Sequence, residues 1–164
     1  MNITAKVALR MIPDSLATQP IFLCVDDTMV AKAGTRFENV SKLFDHAAHN
    51  GSNYLNGHCF VSIMLCIPVW KNDRVSYLSL PLGYRMWQKK ESKLELAASM
   101  IRQVMPEFQE KKQVIILCDS WYTKRNLVSI VDEYLNLDLI GNARIDSVMY
   151  APAPVSYTHL TLPT

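Results

Sequence analysis

Two aspartates that close apolar runs are the residues of this sequence best placed to do chemistry. The first run, Ile21-Phe22-Leu23-Cys24-Val25, stops at Asp26-Asp27-Thr28. The second, Val114-Ile115-Ile116-Leu117-Cys118, stops at Asp119-Ser120. Each run has the length of a strand covered on both faces, the usual state in a parallel sheet. If the two strands lie side by side and parallel, Asp27 and Asp119 emerge at one edge. Paired carboxylates there make an oxygen-rich site suited to Mg2+ or Mn2+. Metal-assisted phosphoryl transfer needs a site of this kind. Asp26 competes with Asp27, because alternation along a strand sends the two to opposite faces. Without a partner motif both also read as plain turn residues, which Asp favours.

The surrounding pattern supplies elements that could hold these groups. Strand one is read over 20–26. Residues 58–68 and 74–82 read as a hairpin turned at Trp70-Lys71-Asn72-Asp73. Segment 31–57 is polar and broken by Gly34, Gly51 and Gly57, and is expected to be a loop. Ser92-Lys93-Leu94-Glu95 is a capping-box signature. It opens a helix over 92–105 with Leu94, Ala97, Ala98, Ile101, Val104 and Met105 inward, and Pro106 closes it. A strand over 113–118 delivers Asp119. A helix over 121–135, capped by Ser120, buries Leu127, Ile130, Val131 and Tyr134. A fifth strand follows over 137–144. Strands alternating with helices argue for parallel pairing and right-handed crossovers. Ahead of all this, Ile3, Val7 and Met11 recur at four-residue steps as a short helix that Pro13 ends.

Composition sets outer limits. A chain of 164 residues that is 49% hydrophobic, with 5 glycines, suits one folded domain rather than a disordered one. A net charge of +2 is too small to point to nucleic acid by itself. Cys24, Cys59, Cys66 and Cys118 sit inside apolar runs without C-x-x-C spacing, so they read as reduced core residues of a cytoplasmic protein. His46, His49 and His58 with Cys59 fit no standard zinc spacing. No run is long enough to span a membrane.

Four motifs in order resemble the DDE transposases of the IS4 type. They are Asp26-Asp27-Thr28, then Phe37-Glu38-Asn39-Val40 with Phe44-Asp45-His46 and Asn56-Gly57-His58, then Cys118-Asp119-Ser120-Trp121-Tyr122, and finally Leu139 to Asp146 with Tyr150. The resemblance runs from about Ile21 to Tyr150. It implies an RNase H-like mixed sheet of five strands in the order 3-2-1-4-5, with strand two antiparallel to its neighbours and helices flanking it. It also selects Asp27 over Asp26 as the first metal ligand and Asp119 as the second, with a Glu far downstream as the third. Mg2+ or Mn2+ is the implied cofactor, and DNA, as transposon ends and target, the implied partner. A homodimer in the full-length protein and a bacterial, nucleoid-associated location go with it. His46 and His58 match family positions and are expected to hydrogen-bond near the active edge. In the basic, aromatic stretch Tyr84 to Lys90, Arg85, Lys89 and Lys90 become candidate DNA-backbone contacts beside Arg144. The competing reading of that stretch is a solvated connector.

Residues 1–19 are expected to be the remnant of an N-terminal helical region, and 20–154 a partial catalytic domain. Val155 to Thr164 fits no element. It matches, codon for codon, a translation of the transposon-end adapter used in sequencing libraries, so it is expected to be adapter-derived and to make few contacts. On that expectation the third carboxylate is missing, the chain alone does not transpose DNA, and apolar sheet surface is left bare. Either Asp27→Asn or Asp119→Asn is expected to leave the fold intact, and to relieve repulsion between like charges. An RNase H-like nuclease without strand transfer would use the same residues. A non-enzymatic α/β binding module would bind no Mn2+ near Asp119.

Overall fold

The computed structural model describes residues 1–34, 36–44, 53–108, 112–143 and 147. Its frame is a six-stranded mixed sheet. The strands are β1 (Ile21–Ala31), β2 (Ser41–Phe44), β3 (Tyr54–Lys71), β4 (Arg74–Met86), β5 (Val114–Cys118) and β6 (Leu137–Gly141). The main path runs β2-β3-β1-β5-β6, and β4 pairs with β3. β3 is antiparallel to both β1 and β4, whereas β1, β5 and β6 are mutually parallel. Leaving β2 aside, this is the RNase H-like order and direction expected from the sequence.

The apolar runs behave as read. Ile21, Leu23 and Val25 of β1, Val61, Ile63, Leu65 and Ile67 of β3, and Val114 and Ile116 of β5 form one buried layer. Helix α2 (Lys93–Val104) lies on that layer, burying Leu94, Ala97, Ala98, Ile101 and Val104. Ser92 and Glu95 close the expected capping box. The hairpin turn is Asn72-Asp73, both with positive φ (51° and 57°), as a two-residue turn matching the strand twist requires. The other face of the sheet carries Phe22, Cys24, Ile115 and Leu117, which are only half-buried, and Ile140, which is exposed.

Several expectations need correction. β1 does not stop at Asp26 but runs five residues further, to Ala31, pairing with β3 down to Gly57. Backbone groups beyond Asp27 thus find partners in β3 rather than turning into a loop. Segment 31–57 accordingly holds the end of β1, all of β2 and the start of β3. Gly57 sits between Ala31 and Ser41, where a Cβ would lie 2.3 Å from the Val30 carbonyl oxygen.

The N-terminal helix α1 (Asn2–Leu9) forms where the four-residue spacing placed a helix. Ile3, Val7 and Met11 are exposed, while Ala5 and Ala8 enter the core. Small side chains let the helix backbone approach closely. Finally, the helix read over 121–135 is one short turn, α3 (Arg125–Val128), followed by 3-10 turns over Ser129–Glu133. Leu127 and Ile130 are buried as expected. Ser120 does not cap it; the residues from Asp119 to Lys124 make a separate turn instead. β6 ends at Gly141, short of residue 144.

Candidate active site

The register fixes where the two carboxylates stand. β1 and β5 pair from Ile21 with Val114 to Val25 with Cys118, and there β5 leaves the sheet. Asp119 is the next residue of that chain, and Asp27 lies two past the last pair. Asp27 shares a face with Leu23 and Val25, the face covered by α2, by the same alternation that turns Asp26 the other way. Asp26 is exposed, and its carboxylate accepts the Asp27 N–H at 2.8 Å.

Three side chains from three elements hold Asp27. Tyr122, wholly buried in the turn after β5, donates its hydroxyl to Asp27 Oδ1 at 3.1 Å. Lys93, the first residue of α2, places Nζ 2.6 Å from Asp27 Oδ2. The Cys59 thiol on β3 donates to the same oxygen at 3.3 Å. Burial, with the negative charge of Asp27 added, holds the Tyr122 phenol far above its ordinary range, so it stays a donor. Burial and the Asp27 hydrogen bond push the Cys59 thiol up to about 11. Burial pulls the Lys93 amine down, but its hydrogen bond and charge pairing with Asp27 outweigh that, and it remains an ammonium.

Asp119 is held differently. Its Oδ1 accepts the backbone N–H groups of Trp121 at 3.0 Å and Tyr122 at 3.2 Å. This is the self-bonded turn that Asp favours. Thr123 ties the turn down by donating to the carbonyls of Ser120 and Asn142. Tyr122 therefore touches both carboxylates, one through its hydroxyl and one through its backbone.

Asp27 and Asp119 line one open cleft of about 520 Å³. Lys42, Lys89 and Lys93 bring positive charge to it, and Phe44, Tyr54, Trp87 and Trp121 bring aromatic faces. A backbone bond from Trp87 N–H to the Cys59 carbonyl continues the β3–β4 pairing and delivers Trp87 to the rim. Lys89 turns back with φ 59° and donates to the Lys42 carbonyl at 3.1 Å. Lys93 stands over both indoles, 5.4 Å from the Trp87 ring centre and 5.3 Å from that of Trp121.

Of the residues singled out from sequence, Asp27, Asp119 and Lys89 come together here. Arg85 does not: its guanidinium bonds Ser99 and Gln103 of α2. Lys90 is exposed outside the cleft lining. His58 lies on the opposite face of β3 from Cys59 and bonds the Glu38 carbonyl. Arg144, His46, Asp146, Tyr150 and the segment 155–164 lie outside the described residues. Lys93, Cys59, Trp87, Trp121 and Tyr122 fell inside stretches read from the sequence but were given no role at this site, and Lys42 was not named at all. One signal for Lys93 was available, since a cation in the first turn of a helix opposes the helix dipole and asks for a reason.

The donor set can be tested against the metal that the resemblance implies. Two carboxylates in one cleft are the hard oxygen donors that Mg2+ and Mn2+ prefer, and the Lys93 ammonium already balances one of them. The donor type fits. The number is incomplete: among the described residues, no three His, Cys, Asp or Glu side chains gather as a metal-binding group.

Residues 2–160 match the family described as DDE superfamily endonuclease. The chain belongs to that superfamily. No curated protein sequence matches it. Among solved structures, the DDE domain is similar to a cryo-EM structure of the piggyBac transposase synaptic complex with hairpin DNA. The TM-score is 0.44 at 14% identity, covering 77% of this chain and 23% of that one. This chain thus spans about a quarter of that transposase. No helix among the described residues is long and apolar enough to cross a membrane.

Proposed function

We propose that this DDE domain is the catalytic core of a DNA transposase of the IS4 type, cleaving and joining DNA strands at transposon ends. The observation that carries the reading is the position of Asp27, inside β1, beside Asp119, just past the end of the adjacent parallel strand β5, with both lining one cleft with three lysines. Asp27 and Asp119 would hold Mg2+ or Mn2+, with a third acidic residue from outside the described part. A divalent ion there supplies charge stabilisation for phosphoryl transfer.

The chain's own residues do the rest. Tyr122 fixes the rotation of Asp27, and the turn N–H groups fix that of Asp119. Lys42 and Lys89 neutralise phosphates entering along the cleft. Phe44, Tyr54, Trp87 and Trp121 form its apolar walls and restrict water. Arg85 serves the fold by tying β4 to α2. A homodimer in the full-length protein, and action in a bacterial nucleoid, are parts of the same reading.

The test is binding of Mn2+, read from the loss of the free-ion signal by electron paramagnetic resonance. The unaltered chain should bind the ion, and Asp27→Asn and Asp119→Asn should each weaken binding at least about tenfold, the loss of roughly one charged ligand. Equal affinity in all three proteins would refute the assignment. Strand transfer is then checked with the two variants in a chain that includes the third acid, where either should abolish joining of a labelled transposon end to plasmid.

A further inference from the structure

Lys93 occupies a place that elementary energetics disfavours three times over. It is the first residue of α2, where the helix dipole repels positive charge. Its side chain is only 17% exposed, so its charge has lost much of its water. A long side chain held in one position also gives up rotamer freedom. The helix start does not need it, because Ser92 and Glu95 complete the capping box between themselves. What offsets these costs is the carboxylate of Asp27 at 2.6 Å, itself 18% exposed, together with the flanking indole faces.

We propose that Lys93 is a positioning residue that acts as the resident counter-ion of Asp27, so that a divalent cation gains Asp27 only by displacing its ammonium. The inference rests on reading Asp27 and Asp119 as metal ligands. Asp27 Oδ1 accepts the Tyr122 hydroxyl, while Oδ2 accepts the Lys93 ammonium beside the Cys59 thiol, so Oδ2 is the oxygen that already holds a cation. An ammonium and a divalent ion cannot both sit against Oδ2, since two cations at contact distance repel by several kcal/mol even in a partly screened site. Displaced, the ammonium keeps the faces of Trp87 and Trp121, which it already touches, and so stays in the cleft. Until then it holds the carboxylate in place and halves the negative charge of the pair. Lys93 therefore sets the ion affinity of the site from a position outside the ligand set.

The experiment compares Mn2+ affinity in the 164-residue chain, Lys93→Met, Lys93→Gln and Asp27→Asn. Met keeps the aliphatic stem against the indoles and removes the charge. Both Lys93 variants should bind Mn2+ about tenfold or more tightly than the unaltered chain, the effect of removing one competing charge. A side chain that merely props the helix would leave affinity unchanged or lower it. Unchanged or weaker binding in both variants, with binding still lost in Asp27→Asn, overturns the counter-ion role and leaves the metal-site reading standing. Affinity that Asp27→Asn does not alter overturns both. Circular dichroism checks folding, and if Lys93→Met is unfolded, Lys93→Gln decides.

Discussion

Tyr122 reaches Asp27 across 95 residues of sequence, with its hydroxyl 3.1 Å from Oδ1. The same residue gives its backbone N–H to Asp119. The two acidic groups are thus fixed relative to each other by one residue whose side chain is itself fully buried. The turn after β5 has to stay non-helical to bring this about. A helix starting at Ser120 would carry the Tyr122 ring round its own axis, away from β1.

Tyr122→Phe keeps the ring in the core and removes only the hydroxyl. Asp27 Oδ1 then loses a donor in a site with little water. Hydrogen bonds to charged groups contribute roughly 1.5–3 kcal/mol, so urea unfolding should show a loss in that range. A loss below about 0.5 kcal/mol, the level of an ordinary surface change, would mean that the hydroxyl does not hold the carboxylate.

The ion pair with Lys93 alters the stability expected of the acid-to-amide changes. Read from sequence, removing either charge should relieve repulsion. In the structure, Asp27→Asn leaves a half-buried ammonium without its partner and should cost about 1–2 kcal/mol, discounted from the fully buried case for its remaining exposure. Asp119→Asn keeps an oxygen that can accept the two turn N–H groups, and should stay within about 0.5 kcal/mol. Thermal unfolding of the two variants side by side, without divalent ions, measures the difference. Equal stabilities would mean that the Lys93 pair contributes nothing to the fold.

The sheet order could be read from the sequence because its signals are local. Val114 to Cys118 is continuous and β-branched, and Ser92 with Glu95 marks a helix start by side-chain chemistry alone. The rest of the site depends on contacts distant in sequence. β1 continues past Asp27 only because β3 offers partners as far as Gly57. β2 is four residues long, and its edge becomes a strand only beside Tyr54 to Gly57. The spacing of Ile3 and Val7 marks α1 as a helix but does not say which face is buried, and it is Ala5 and Ala8 that enter the core. Close approach of a helix to the core favours the smaller pair, and no local pattern reports that distance. Lys93 and Tyr122 gain their roles from Asp27, which lies 66 and 95 residues away.

The capping box makes stability depend on acid. The Ser92 backbone N–H, and then the Ser92 side chain, hold the Glu95 carboxyl below its ordinary value. A folded-state value below the unfolded one contributes stability that is fully present above the ordinary Glu range. It is lost as pH falls through the lowered folded value. Ser92→Ala removes the cap and should cost about 1 kcal/mol at neutral pH. The gap between variant and parent should narrow below about pH 4, under the ordinary range of an unperturbed Glu. Chemical unfolding at neutral pH and at acid pH tests this, and a gap that does not change with pH would show that the Ser92 hydroxyl does not hold the Glu95 carboxylate.

The last expectation separates lysines that face the cleft from an arginine that only looked available in the sequence. Lys42 and Lys89 line the cleft with Asp27 and Asp119, whereas Arg85 is spent on Ser99 and Gln103. If DNA enters along the cleft, Lys42→Ala and Lys89→Ala should each weaken binding across all sequences. Each should also reduce the slope of log affinity against log salt by about 1, the release of roughly one counterion per phosphate contact. Arg85→Ala should leave that slope unchanged and instead lower stability by about 1–3 kcal/mol, because the polar groups of α2 lose a charged partner. Fluorescence anisotropy with a labelled duplex over a series of salt concentrations, alongside unfolding of each variant, gives both readouts. A salt slope that falls for Arg85→Ala and not for the two lysines would place the DNA on the other side of β4, away from the carboxylates.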